Sequence, residues 1–356
     1  MISFALTEDQ NIARAAAANF AANHARPAAR GADESSAHPE SLLDRAWALG
    51  LVQTAASEDS PEQPSVLNAL VLEEIAHGDA ALALALAGPL GFVKAIAENG
   101  SPAQKQTYLP EFMSDAPRFA AIAHTDVGWF SGARKPPTRA QRTASGWRIE
   151  GAKALVPLAS RCQYFLITAE TDEGAGAFVA SASAPGVRVD APKGSLGLRA
   201  LQMADVVLCG VDVSAEARLP GGMRRCLDLS RVALSAILSG LARAVYEYAL
   251  PYTKERVVHG EAIARKQAVA FRLADMHIAA QAMRWMTLRA ASELDAGPTA
   301  VRSASLARRY AAENGLKIAD EGVQLFGGHG YMRDMPLEMW YRNARTLSVL
   351  DGLVGV

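Results

Sequence analysis

A block of short β-rich segments interrupts a chain that otherwise reads as helix, and this interruption constrains the fold more than any other feature. Between residue 119 and about residue 220, WRIEGAKALV, QYFLITAET and ADVVLCGVDV are short and bounded by Gly, Ser, Asp and Pro. That pattern predicts strands joined by turns. Residues 132–145 are polar, carry Pro136 and Pro137, and read as a loop or hairpin.

On either side the hydrophobic period becomes helical. Thr7 is placed to cap a first helix, with acids in its first turn that suit the helix dipole. In LLDRAWALGL, Leu42, Ala46 and Leu49 share one face, beside Leu43 and Trp47, and Gly50 is placed to end the helix. Ser65 is placed to cap the next helix, with Val66, Leu70 and Ile75 facing inward. In GSPAQKQTYLPEF, Pro102 starts a short helix and Pro110 ends it. Beyond residue 223, Leu229, Ala233, Ala236, Ile237, Gly240 and Ala244 recur every three or four positions. Ala304, Ala307, Ala311, Ile318, Gly322 and Leu325 do the same. Small residues along such seams let helices approach closely in a bundle. The expected organisation is a helical unit (1–118), a middle β unit (119–222) and a helix bundle (223–356).

A chain of 356 residues, half of them hydrophobic, can bury two or three packed units. Its net charge of -1 lacks the basic excess of a broad nucleic-acid surface. Cys162, Cys209 and Cys226 are scattered, without metal-ligand spacing, and suit a reducing compartment. The opening MISFALTEDQ lacks the basic-then-apolar order of a signal peptide. The longest apolar run, AALALALAGPLGFV at residues 80–93, is interrupted by Pro89 and closed by Lys94. It reads as too short to span a bilayer. A soluble, cytoplasmic protein without membrane or nucleic-acid partners is expected.

Five collinear segments resemble the acyl-CoA dehydrogenase family. They are VLEEIAHGDAALALAL, GSPAQKQTYLPEF, SLGLRALQMADVVLCGVDV, ERVVHGEAIARKQAVAFRLADM and QLFGGHGYMRDMPLEMWYRNAR. They span nearly the whole chain. The resemblance implies an α+β, mainly α fold: an N-terminal helical domain, a middle β-barrel-like domain and a C-terminal helix bundle. It implies FAD-dependent removal of two hydrogens from an acyl-CoA, with electrons passed to an electron-transfer flavoprotein or similar acceptor. It also implies a homodimer or homotetramer whose sites are shared between subunits.

Residue by residue, the resemblance puts Asp351 at the catalytic base, one methylene shorter than the family's glutamate. Ser230 stands where other branches carry a second base position, and Arg231 matches an arginine near the CoA moiety. Thr125 and Ser131 fall in the family's flavin-contacting loop. Arg256 and Gln267 match residues that reach the neighbouring subunit's cofactor, and Gln324, Gly327 and Gly328 match a cofactor-proximal turn. No metal ligand is expected. His124, His259 and His329 read as packing or surface residues.

The sequence also departs from the family. Trp129 and Phe130 replace a small-residue stretch of a tight loop. Leu155, Val156 and Pro157 stand where the family has an aromatic, an isoleucine and a hydroxyl residue. Leu353, Val354 and Gly355 replace a polar triplet, and the chain stops where the family runs on through another helix. Three readings therefore stand side by side. The first is an acyl-CoA dehydrogenase with Asp351 as base. The second is a non-catalytic or half-site subunit of a heteromeric dehydrogenase, with Asp351 and Gly352 as an ordinary turn pair. The third is a flavin oxidase relative.

Overall fold

The computed structural model describes residues 5–57, 62–128 and 137–350. Its first zone holds α1 (Glu8–Phe20), α2 (Arg26–Ser35), α3 (Glu40–Trp47), α4 (Leu51–Ala56), α5 (Pro64–Gly78), α6 (Ala80–Asn99) and α7 (Pro102–Tyr108). Thr7 caps α1 as the sequence suggests, in a reciprocal capping box with Gln10. Leu42, Leu43, Ala46 and Trp47 are all buried, and Gly50 adopts φ +78 just before α4.

Two local expectations change. Ser65 is not the cap of α5, because the helix already begins at Pro64. The orphan amides of its first turn are met from a distance: Asp295 accepts from Ser65 N at 2.8 Å and from Val66 N at 3.0 Å. Nor does Pro89 break the apolar run, since α6 continues through it to Asn99. α6 and the longer helix at Arg224–Glu255 are both long and apolar enough to cross a bilayer. Their apolar stretches are, however, 78% and 67% buried inside the protein. Burial in the core, not shortness, accounts for the run's composition.

The middle zone holds β1 (Phe119–Ala123), β2 (Arg139–Arg142), β3 (Gly146–Val156), β4 (Cys162–Thr171), β5 (Gly174–Ser181), β6 (Val187–Val189) and β7 (Ala204–Ser214). They form one sheet in the order β1-β4-β2-β3-β7-β6, with β5 paired to β4. β1 and β4 run parallel, whereas β3 and β7 pair antiparallel along most of their length. β1 packs against α6, which joins the sheet to the first zone.

The last zone holds α8 (Arg224–Glu255), a hairpin of β8 (Val257–Val258) and β9 (Glu261–Ala262), α9 (Gln267–Ala296), α10 (Val301–Phe326) and α11 (Leu337–Val349). The small-residue seams are real contact lines. A Cβ at Gly240 would lie 2.1 Å from Glu73 O, so α8 and α5 touch backbone to backbone there. Beside this contact, Arg243 Nη1 donates to Glu73 Oε1 at 2.9 Å and Arg284 Nη1 donates to the same oxygen at 2.6 Å. Arg243 also holds Glu74. Charges this deep need partners, and here they bind α5, α8 and α9 into one body.

Candidate active site

A cleft of about 1230 Å³, counted to its open mouth, lies between α6, α8 and the edge of the sheet. The antiparallel pair α5–α6 supplies one side. Gly88 and Gly91 let α6 lie close on β1, since a Cβ there would come within 2.9 Å of Ala120 O or 3.1 Å of Ile122 Cδ1, while Ser230, Arg231 and Leu234 line the cleft from α8. The sheet contributes Thr125, just past β1, and the stretch Leu155 to Pro157 at the end of β3. Leu350, directly after α11, closes the arrangement.

The sheet wall is strained. Leu155 has φ +55 and Leu158 has φ +50, both in the left-handed region that favours glycine. The β3–β7 register slips between Lys153 and Val156, which admits this turn of the backbone. Holding a leucine there costs about 1–2 kcal/mol. The amide of Leu155 donates to Asp205 Oδ1 at 3.3 Å. Such strain is typical of walls whose shape serves a ligand.

Below it, a polar cluster fixes the chain around Thr125. Lys153, only 1% exposed, donates from Nζ to Asp126 Oδ1 at 2.8 Å, His124 O at 3.0 Å and Thr168 Oγ1 at 3.1 Å. Thr138 Oγ1 donates to the same Asp126 oxygen at 2.6 Å. Burial pulls the Lys153 ammonium below the usual lysine range, and the hydrogen bond and charge of Asp126 push back. All three donors of the ammonium are spent, so the segment carrying Thr125 is pinned on β3 and β4. The hydroxyl of Thr125 then donates to Leu350 O at 3.1 Å, drawing the end of α11 to the cleft.

On α8, Arg231 is set by an acid beneath it. Asp228 is fully buried; its Oδ2 accepts from Thr299 Oγ1 at 3.0 Å and from Ala300 N at 3.2 Å. Its Oδ1 faces Arg231 Nη1 at 3.6 Å, and Arg231 Nη1 also donates to Ser305 Oγ at 3.3 Å. The guanidinium is held at the cleft rather than swept into solvent.

The sequence candidates thus fall into separate groups. Thr125 and Arg231 line the cleft, and Leu350, the neighbour of Asp351, lines it too. Asp351, Ser131, Trp129, Phe130 and residues 353–355 lie outside the described residues. Arg256, Gln267, Gln324, Gly327 and Gly328 are all exposed at the opposite end of the bundle. There the end of α8 meets the end of α10, with Tyr252 stacked on Phe326 at 3.7 Å between ring centres. At about 1.5 Å per residue, the stretch of α8 from Arg231 to its end is roughly 35–40 Å long. One chain therefore does not bring the two groups together.

Sequence reasoning passed over several residues that shape the cleft. Asp126 and Lys153 carry no signal of their own in the sequence, and only the fold brings them together. Asp228 lies three residues before Arg231, the spacing of a helical pair, which is the one signal that pointed to it. The twist at Leu155 left no trace in composition, because leucine is not a turn residue.

Family models of acyl-CoA dehydrogenase match the chain in three parts: the N-terminal domain at residues 7–116, the middle domain at 121–211 and the C-terminal domain at 222–355. The chain belongs to the acyl-CoA dehydrogenase family. Cyclohex-1-ene-1-carbonyl-CoA dehydrogenase of Geobacter metallireducens is 29% identical, over 98% of this chain and 95% of that protein. The mitochondrial short-chain specific acyl-CoA dehydrogenase of Rattus norvegicus is 27% identical, over 98% of this chain and 88% of that one. Among solved structures, butyryl-CoA dehydrogenase from Megasphaera elsdenii superposes with a TM-score of 0.88 at 24% identity, covering 98% of this chain and 96% of that one. Glutaryl-coenzyme A dehydrogenase in its glutaryl-CoA complex gives 0.87 at 26% identity, covering 98% and 93%.

Proposed function

We propose that this chain is an FAD-dependent dehydrogenase that removes hydrogens from the α and β carbons of an acyl-CoA thioester, with Asp351 taking the α proton. One observation carries the proposal: Leu350, the residue that precedes Asp351, is tied by Thr125 to the cleft between α6, α8 and the sheet. Asp351 lies outside the described residues; the reaction asks of its carboxylate a raised proton affinity, which burial among apolar groups would supply. Arg231, steadied by Asp228, offers a cation to the acidic CoA moiety.

The residues fit the cofactor as a set drawn from two copies. Thr125 and Ser131 come from one. Arg256, Gln267, Gln324, Gly327 and Gly328 come from its neighbour. Gly327 has φ +59, and a Cβ built on it or on Gly328 would meet nothing within 4 Å, so that turn is open to an approaching group. The Arg256 guanidinium has no ion-pair partner among the described residues, and its fork suits a pyrophosphate. When bound, FAD accepts the β hydride and passes the electrons on to an electron-transfer flavoprotein or similar acceptor. The separation of the two groups supports a homodimer or homotetramer, whose subunits would share the site. Phe271, Ile278 and Trp285 repeat every seven positions on α9 and are 62%, 63% and 48% exposed, an apolar stripe suited to a second copy. We place the protein in the cytoplasm.

Leu155, Val156 and Pro157 favour a second reading, a half-site subunit of a heteromer, because that wall offers no aromatic ring and no hydroxyl. The visible spectrum and flavin-to-protein ratio of the purified chain decide between the two. Near one FAD per chain, with Asp351→Ala keeping the flavin but losing at least a hundredfold in turnover, supports the first reading. A folded oligomer that stays colourless with added FAD refutes it and leaves the second.

A further inference from the structure

The far end of the cleft is polar, although the family reading asks only for a place to lay an acyl chain. α6 packs against β1, whereas α5 lies behind it, packed chiefly on α8, α6, α1 and α9. The residues of α5 that line the cleft therefore form its floor, on the side away from Thr125 and Leu350. Two of them are polar. Asn68 is 8% exposed and forms no hydrogen bond among the described residues. Ser65 is 3% exposed, and its Oγ has no hydrogen-bond partner among the described residues. A hydroxyl buried as deeply as that of Ser65 is costly to leave unpaired, so it favours an acceptor brought in by a ligand. A chain of contacts brings Lys94 to the same end: it pairs with Glu98, Glu98 pairs with Arg225, and Arg225 donates to Leu294 O, next to Asp295, which holds the Ser65 amide.

Lys94 is 6% exposed and lines the same cleft. Its Nζ pairs with Glu98 Oε1 at 2.8 Å, which uses one of three donors. Glu98 is shared with Arg225, whose other donors go to Leu294 O and Gly297 O. The acid is thus matched by two cations. Asp295 is occupied by the first amides of α5, and Asp228, also at this end, pairs with Arg231 and does not line the cleft. Among the described residues the cleft lining thus offers spare N–H and O–H donors from Lys94, Asn68 and Ser65 and contains no carboxylate. A methyl-ended chain gives these spare donors no acceptor.

We infer that the substrate is a short acyl thioester whose chain ends in an oxygen acceptor, a carboxylate or a hydroxyl, received by Lys94, Asn68 and Ser65. This rests on the acyl-CoA reading above and narrows it. The test is calorimetric titration of the purified holoprotein with three unreactive CoA thioethers, bearing butyl, 4-hydroxybutyl and 3-carboxypropyl tails. At least one oxygenated tail binds tenfold or more tightly than butyl, and comparison of the two separates hydroxyl from carboxylate. Asn68→Leu, close in shape, reduces that preference at least fivefold while butyl affinity stays within about twofold. Lys94→Met does the same if it folds, and Asn68→Leu decides the matter if it does not. Equal or tighter binding of the butyl tail overturns the inference. Failure of all three thioethers to bind overturns the acyl-CoA reading itself.

Discussion

Replacing Gly240 by alanine should destabilise this protein, although the same change in an ordinary helix stabilises it. Glycine inside a helix is worth about 1 kcal/mol less than alanine, so the local effect of Gly240→Ala is favourable. The contact reverses the sign. The new Cβ would lie 2.1 Å from Glu73 O and 3.0 Å from both Glu73 C and Ala76 Cβ. These are backbone or Cβ atoms, so relief requires α5 to move off α8 by about 1 Å or more. Overpacking of this kind costs about 1–3 kcal/mol. The same displacement stretches the Glu73 bonds to Arg243 and Arg284, at 2.9 and 2.6 Å, which are themselves buried. A net loss of about 2–3 kcal/mol follows. Two internal controls share the chemistry. Gly31 lies in α2 with nothing within 4 Å of its would-be Cβ, so Gly31→Ala should gain about 1 kcal/mol. At Gly315 the nearest atoms are the ends of Leu238 and Met283 side chains, at 3.0 and 3.4 Å, which can give way. Gly315→Ala should stay within about 1 kcal/mol of the parent. Urea midpoints at one protein concentration measure all three. The reasoning is refuted if Gly240→Ala unfolds at or above the parent midpoint, or if Gly31→Ala falls as far as Gly240→Ala does.

Two further outcomes are expected. Burial alone would raise the carboxyl of Glu338, but hydrogen bonds and charge from Arg342 and Arg30 outweigh it and hold it below its ordinary 4.5. Its stabilising effect is present above 4.5 and is lost as pH falls through the lower folded-state value. Glu338→Gln should therefore melt below the parent at neutral pH, with the gap closing in acid; a gap unchanged by acid contradicts the assignment. Among the cysteines, burial pushes Cys162 and Cys226 each up to about 12, while Cys209 is exposed. Titration with a thiol-reactive chromophore should give one fast thiol per chain and two more only on denaturation, and three equal rates would be incompatible with this core.

How much of this was legible depended on whether the signal was periodic. Seams such as Ala304, Ala307 and Ala311 are legible because burial repeats with the helix, and every one of them is buried. The strands β3, β4 and β7 are legible because they are long and rich in large β-formers. β1, with the sequence FAAIA, and β5, with GAGAFVAS, were not seen. They owe their extended form to neighbours on β4 and not to their own alanines and glycines. The floor residues were illegible for another reason. Ser65 looked like a cap, and only the arrival of Asp295 from the distant end of α9 frees its hydroxyl from that duty. Lys94 looked like the end of an apolar run, yet the helix carries on past it and buries it. Long-range pairings assign such roles, and a single sequence does not display them.

The length of α8 connects these observations. A helix of 32 residues is roughly 48 Å long. Its first turns carry Asp228 and Arg231 to the cleft, its middle is clamped to α5 at Gly240 and Arg243, and its end presents Arg256 to the outside. The clamp thus fixes at once where Arg231 stands in the cleft and where Arg256 is presented at the surface. Loosening the clamp displaces both ends at once. For that reason a Gly240→Ala protein that remains folded should also show a disturbed cleft, and a shift of even about 1 Å there is enough to cost on the order of a hundredfold in a positioned reaction.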